Sequence, residues 1–306
     1  MILQNKIDFA VVFRVKRANP NGDPLNGNRP RTDYENYGEV TDVCIKRKIR
    51  DRLQEEKHGV FVQSQDRADD GHPSLRARAD AILGSDLTAE ELAKKACSTW
   101  FDVRAFGQLF AFKGKGKGKG KKTGKAKAAE ATVAGDAMQD AVGGGDTGVS
   151  IGIRGPVTIQ SAFSLKPVDV ASVQITKSVS SEGDGTKRGS DTMGMKHRVE
   201  DGIYVFYGSM NPQLAERTGF SSEDAEMIKK ILPRIFQNDE SSARPAGSMQ
   251  VLKVVWWRHN CKPGQYSSAR VHQSIKPEVD PSEPGKVDIR VVEDLPGLKP
   301  ELIDGF

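Results

Sequence analysis

Residues 7 to 17, IDFAVVFRVKR, alternate, with Ile7, Phe9, Val11, Phe13 and Val15 on one face and Asp8, Arg14 and Lys16 on the other. A period of two is that of a half-buried strand, so the pattern predicts a first strand with one packed face and one that offers cations. The period then lengthens. In TDVCIKRKIRDRLQEEK, Ile45, Ile49 and Leu53 recur every fourth residue behind Thr41, which predicts a capped helix over about 42–57 with Lys46, Arg47 and Arg50 flanking a narrow apolar stripe. Thr88 and Glu91 stand at capping-box spacing and open a second helix over about 88–97. Strand patterns return from 149 in VSIGIRGPVTIQSAFSL, VQITKSV, IYVFYGSM and MQVLKVVWWRH. A further helix over about 221–236 starts at Ser221 and meets Pro233 as a kink, and the proline-rich tail holds one short strand, KVDIRVVE. Trp256 and Trp257 must face opposite ways on their strand, which predicts one in the core and one available to a partner. The order strand, helix, strands, helix, strand predicts an α+β fold, a sheet covered by helices on one face as in ferredoxin-like and RNA-recognition folds.

Two stretches break these rhythms. KGKGKGKGKKTGKAKAAEA and the AVGGGDTG after it, about 113–148, hold too few apolar groups to offset the entropy of ordering, so they predict a flexible inserted loop. A glycine-rich excursion over about 178–199 mixes Lys187, Arg188, Lys196, His197 and Arg198 with Met193 and Met195. Cations and flexible apolar wedges in one projection suit nucleic acid, the cations for phosphates and the wedges for the gaps between bases.

Composition sharpens this picture in three places. A chain of 306 residues allows two domains or one with large insertions. The formal net charge is +5, yet residues 113–127 supply eight of the 46 basic residues and no acid, so the remainder is slightly acidic and only local clusters can mark a binding site. Cys44, Cys97 and Cys261 are far apart and odd in number, which suggests neither a disulfide framework nor a zinc site and points to a reducing cytoplasm. The alternating start resembles neither a signal peptide nor a spanning helix, so no membrane association is expected.

The clearest local cluster is RANPNGDPLNGNRPRT, residues 17–32. Its asparagines, glycines and prolines can bend a loop close to a ligand backbone, while Arg29, Arg31 and the N-terminus of the next helix offer charge and N–H groups to phosphates. Arg14, Lys16, Lys46, Arg47 and Arg50 could complete one basic concavity. Catalytic patterns are missing: the histidines show no HExxH spacing, and neither a GxxxxGK[ST] loop nor a GxSxG elbow occurs. Asp23, Asp33 and Asp42 could bind a divalent cation, though turn and helix-end roles suffice for each. No cofactor is implied.

Taken in order, NPNGDP, CIKRKIR, DVRAFG, GPVTIQSAFSL and DTMGMKHRVEDGIYVFYGSMNP make the chain resemble, over most of its length, the backbone subunit of the type I-C CRISPR Cascade complex. The resemblance implies a modified RNA-recognition palm at 1–57 and 149–306, a helical fingers insertion at 58–148 and a thumb hairpin or loop at about 178–199. It implies a non-catalytic subunit that polymerises head to tail along crRNA as a helical filament and presents bases to target DNA in antiviral defence. Asn19, Asn21, Arg29, Arg31, Lys46, Arg47 and Arg50 would grip the guide backbone, and Met193, Met195, Lys196 and His197 would form the thumb side of the site. The implied partners are crRNA, further copies of the chain, the endoribonuclease subunit that caps the 5′ handle, the large and small subunits and a recruited helicase-nuclease. Type III relatives cut target RNA with a metal and an aspartate in the loop after the first strand, which keeps open an endoribonuclease acting through Asp23 or Asp33. A monomeric RNA-recognition module that reads short sequences is the other alternative.

Overall fold

The first predicted strand forms as β1 (Ile7–Ala18) and runs into a loop carrying two short strands, β2 (Gly22–Asp23) and β3 (Arg29–Pro30), before β4 (Tyr37–Val40). Thr41 caps α1 (Asp42–Glu55), its hydroxyl accepting the Cys44 N–H. Helices α2 (Leu75–Leu83), α3 (Ala89–Thr99) and α4 (Phe101–Phe106) follow, and the Thr88–Glu91 capping box forms in both directions at the start of α3. Next come β5 (Gly107–Phe112), β6 (Val149–Arg154), β7 (Val157–Ile159), β8 (Ala162–Pro167), β9 (Val170–Thr176) and the long β10 (Met193–Met210). The chain closes with α5 (Pro212–Thr218), α6 (Ser222–Ile231), β11 (Met249–Arg258), α7 (Ser268–Gln273), β12 (Ile275–Val279), β13 (Val287–Val291) and β14 (Glu301–Asp304). This computed structural model describes residues 1–84, 87–112, 149–176, 193–280, 282–283 and 285–306. The predicted loop at 113–148 and residues 178–192 of the expected thumb lie outside the described residues. Contacts divide the chain into one unit of Met1–Gln108 with Ile153–Phe306 and a second of Leu109–Gly152, whose described ends belong to the paired strands β5 and β6.

The main sheet has the order β14-β11-β1-β10-β8-β4, with β7 and β9 also paired to β10. Both neighbours of β1 run antiparallel to it. Reduced to β1, α1, β7 with β8, β10, α6 and β11, the connectivity is βαββαβ with the first strand central, which is the ferredoxin-like arrangement. Phe9, Val11 and Phe13 pack with Ile45 and Ile49 of α1 and Ile228 and Ile231 of α6 in one core. Phe13 stacks on Tyr204 at 5.4 Å and Phe9 on Trp256 at 5.7 Å. The helix starting at Ser221 is capped as expected, but it ends at Ile231, and Pro233 lies in a 3-10 turn, Leu232–Arg234, in place of a kink because it cannot donate into the helix.

The second face of the sheet departs from the expectation of an open, cation-bearing surface. Asp8, Ala10 and Val12 are fully buried, and the chain from α7 onward covers this face, with His272 3.6 Å from Asp8 and Val271, Ile275, Leu295 and Leu298 packed with Ala10, Val255 and Trp257. Trp256 and Trp257 do face opposite ways, yet both are buried and neither is available to a partner. A polar clamp holds the cover down. The Gln265 N–H donates to His259 Nδ1 at 2.9 Å, so the ring proton sits on Nε2 and is given to Asp8, also at 2.9 Å, while Lys6 approaches the same carboxylate at 3.2 Å. Of the three charged residues on that face of β1, only Lys16 stays exposed.

In the segment after α1, one arginine holds several strands of chain together. Arg78 of α2 is buried and donates to the Phe61 carbonyl at 2.8 Å, to Gln63 Oε1 at 3.0 Å and to both oxygens of Asp70. The bond from Arg78 pushes the Asp70 carboxyl down to about 2. A carboxyl whose folded value is depressed stabilises above its unfolded value, about 3.9, and loses that contribution as pH falls through the folded one. Asp70→Asn is therefore expected to lower the melting temperature at neutral pH, with the gap from the wild type closing between pH 4 and pH 2 in a thermal-melt series. Among the described residues, no helix is long and apolar enough to cross a membrane.

Candidate nucleic-acid interface

The loop after β1 is built by its own polar side chains. Asn19 is buried and donates its amide to the Asn28 carbonyl at 2.7 Å. Asn21 Oδ1 accepts from the Thr41 N–H at 2.9 Å and the Thr41 hydroxyl at 2.8 Å, which ties the loop to the α1 cap. Asp23 accepts the Leu25 N–H at 3.2 Å and Arg31 Nη2 at 3.3 Å. Asp33 accepts the Glu35 and Tyr37 N–H groups at 2.9 and 2.8 Å. These bonds shape the loop and leave Arg29 and Arg31 half-buried at its edge. Among the described residues no group of three or more histidine, cysteine or acidic side chains is placed to hold a metal ion.

Beside this loop lies a polar cavity of about 450 Å³, lined by Asn26, Arg29, Arg31 and Asn36 on one side and Val168 and Asp169 on the other. Arg29 reaches past it to donate from Nη1 to Ser172 Oγ of β9 at 3.0 Å. Ser172 in turn lies 2.9 Å from His197 Nδ1 on β10. The two clusters that the sequence singles out, one near residue 29 and one near residue 197, thus meet across a single serine. Met193 and Met195 stand on the same face as His197 and are 66% and 55% exposed. Lys196 points to the opposite face and, like Lys16, is exposed with no side-chain partner among the described residues.

Arg17, the first arginine of the 17–32 loop, has a backbone conformation that sequence patterning does not reveal. Its φ of 52° lies in the left-handed region, which costs a non-glycine residue of order 1 kcal/mol or more. The flanking pairs Lys16 with Asp201 and Ala18 with Val199 hold it there. The guanidinium is 70% exposed and only 3.8 Å from Glu200, so the twist turns a cation outward at the mouth of the loop. From Asp201, opposite Lys16, to Lys196 is five residues along β10, about 17 Å of strand.

The α1 cations are placed differently. Lys46 pairs with Asp42 at 2.9 Å, Arg47 with Asp51 at 2.6 Å and Asp239 at 2.9 Å, and Arg50 with Asp102 at 2.9 Å. Lys48, between them, is fully buried against Asp239. Arg14 is likewise held, both oxygens of Asp201 receiving its guanidinium at 2.8 and 2.5 Å. The motif DVRAFG completes this latch: Asp102 also accepts the Phe61 and Val62 N–H groups, and Arg104 binds both oxygens of Asp224. Its glycine, Gly107, has φ of 83°, and a Cβ there would sit 2.2 Å from the Ile153 carbonyl oxygen, so only glycine fits.

A family model described as CRISPR-associated protein Cas7 matches residues 5–295. A protein of Haloferax volcanii described as CRISPR-associated protein Cas7 is 26% identical over 311 residues, covering 99% of this chain and 83% of that protein. Among solved structures, a chain of a "CRISPR RNA-guided surveillance complex, pre-nicking" aligns at a TM-score of 0.45 and 15% identity over 88% of this chain and 86% of that one. A chain of the Type III-B Cmr-beta complex bound to cognate target RNA aligns at a TM-score of 0.37 and 10% identity over 82% of this chain and 60% of that one.

Proposed function

The chain belongs to the CRISPR-associated Cas7 family, and from that premise we propose that it is the non-catalytic backbone subunit of a type I-C Cascade complex. It polymerises along crRNA, holds the sugar-phosphate strand and leaves the bases free to pair with target DNA. The observation that carries this reading is the junction of Arg29, Ser172 and His197, which joins the loop that bears Arg17 and Arg31 to the hairpin. Contacts to phosphate and ribose carry no sequence information, and a protein that serves any guide needs contacts of that kind. In this reading residues 1–57 and 149–306 form the palm, 58–148 the fingers and 178–199 the thumb. Met193 and Met195 are then the wedges, and the α1 cations support the fold beneath the strand. Further copies of the chain and the other Cascade subunits are its partners, in the cytoplasm.

The endoribonuclease alternative is disfavoured by the geometry of the loop. Asp23 faces Arg31 and a backbone N–H, and Asp33 accepts two backbone N–H groups, so both carboxylates serve the turn. Complementary RNA incubated with the assembled complex and Mg²⁺ is expected to stay intact; regularly spaced cuts lost in Asp23→Ala would reverse the assignment. Guides of unrelated sequence are expected to bind with equal affinity and a steep loss with rising salt. A preference for one short sequence in the same titration would favour the monomeric recognition module.

A further inference from the structure

We propose that the face of the β9–β10 hairpin around His197 recognises the ribose 2′-hydroxyl of the bound strand, so that the site accepts RNA and discriminates against DNA. This rests on the guide-binding reading above. Residues directly opposite each other in an antiparallel pair share a face. The register therefore puts Ser172, Gln174 and Thr176 with His197, Met195 and Met193 on one side, and Ala171, Val173 and Ile175 with Arg198, Lys196 and Gly194 on the other. The first side carries hydrogen-bonding groups and thioethers without a lysine, arginine or carboxylate, while the hairpin's cations project from the second. A phosphate offers acceptors alone and is drawn to cations; a 2′-hydroxyl both donates and accepts. The side around His197 thus suits the sugar, and Arg29 at its edge suits the adjoining phosphate.

The hydrogen bonds define the contact further. Ser172 Oγ receives the Arg29 Nη1 proton at 3.0 Å and lies 2.9 Å from His197 Nδ1. In the tautomer in which the hydroxyl donates to Nδ1, the imidazole carries its proton on Nε2, which has no partner among the described residues. Gln174, one rung further along the same side, donates its amide to Met193 Sδ at 3.4 Å and keeps Oε1 to accept. A donor and an acceptor side by side are the complement of a hydroxyl. Ser172 acts here as a positioning residue, setting the direction of the imidazole.

The test compares a guide RNA with its 2′-deoxy counterpart of the same base sequence, titrated by fluorescence anisotropy against the full-length chain at fixed salt. The wild type is expected to prefer RNA by about tenfold or more, a difference of one well-made polar contact. His197→Ala is expected to bring the ratio close to one by weakening RNA binding alone; Ser172→Ala, which also releases Arg29 from its place beside the phosphate, is expected to weaken both strands and RNA the more, while Ser172→Thr, which keeps the hydroxyl, retains the ratio. A wild type without preference, a ratio unchanged in both alanine variants, or equal weakening of RNA and DNA overturns the ribose assignment and leaves guide binding standing. A wild type that holds neither strand removes both.

Discussion

Replacing Lys16, Arg29 and Arg31 together by glutamate is expected to reduce guide-RNA affinity by about 10³-fold or more at physiological salt while leaving the fold in place. A hydrogen bond to a charged group contributes about 1.5–3 kcal/mol, and three such losses exceed 4 kcal/mol. Among the described residues, Lys16 is exposed and without a side-chain partner, Arg29 binds a serine hydroxyl and Arg31 makes one long contact to Asp23. Reversing them disturbs little of the core. The same reversal at Lys46, Arg47 and Arg50 is expected to act through stability, because it places new carboxylates against Asp42, Asp51, Asp239 and Asp102, each now within 3 Å of a cation. Anisotropy and thermal melts on both triple variants separate the two. The loop variant keeps its melting temperature and loses RNA, and the helix variant loses melting temperature first.

Asp239→Ala is expected to cost about 3–5 kcal/mol of stability, the loss that follows when one partner of a buried ion pair is removed. Asp239 is the common acceptor for Arg47, Lys48 and Arg244. Lys48 is 0% exposed and lies 5.4 Å over the Phe236 ring, and burial pushes its ammonium pKa down, so without Asp239 it has no carboxylate among the described residues to answer its charge. The melting temperature should fall by about 10 °C. Lys48→Met in the same chain is expected to recover much of that loss, since a buried ion pair replaced by apolar volume is often neutral. Chemical denaturation of the single and double variants measures both effects.

Local patterns were sufficient for the skeleton of the fold. The alternation in β1, the fourfold spacing in α1, the capping box at Thr88, the cap at Ser221 and the order of elements all appear in the structure, because each depends on neighbours within a few residues. What escaped depends on distant chain. The β1 face bearing Ala10 and Val12 is apolar enough to pack, but only the position of residues 271 to 298 shows what covers it. In α2, LRARADAIL sets Leu75, Ala79, Ile82 and Leu83 at helical spacing, but nothing in that spacing marks Arg78, which anchors the helix through Phe61, Gln63 and Asp70.

The interface was legible in the same uneven way. Arg29, Arg31 and His197 stand out by type and setting, whereas Ser172 sits in an ordinary strand and gains a role only from its register opposite His197. The pairing of Lys46 with Asp42 and of Arg47 with Asp51 had a readable signal in the four-residue spacing. The pairing with Asp239 and Asp102 had none, because 192 and 52 residues separate the partners. Arg17 carries no mark in the sequence that would foretell its backbone twist.

The most direct measurement is to purify the chain from cells that also transcribe a CRISPR array, then determine the mass and the nucleic acid of the particle. The account predicts one repeat-derived RNA bound along its length by many copies of the chain. A monomer that elutes free of RNA would contradict it.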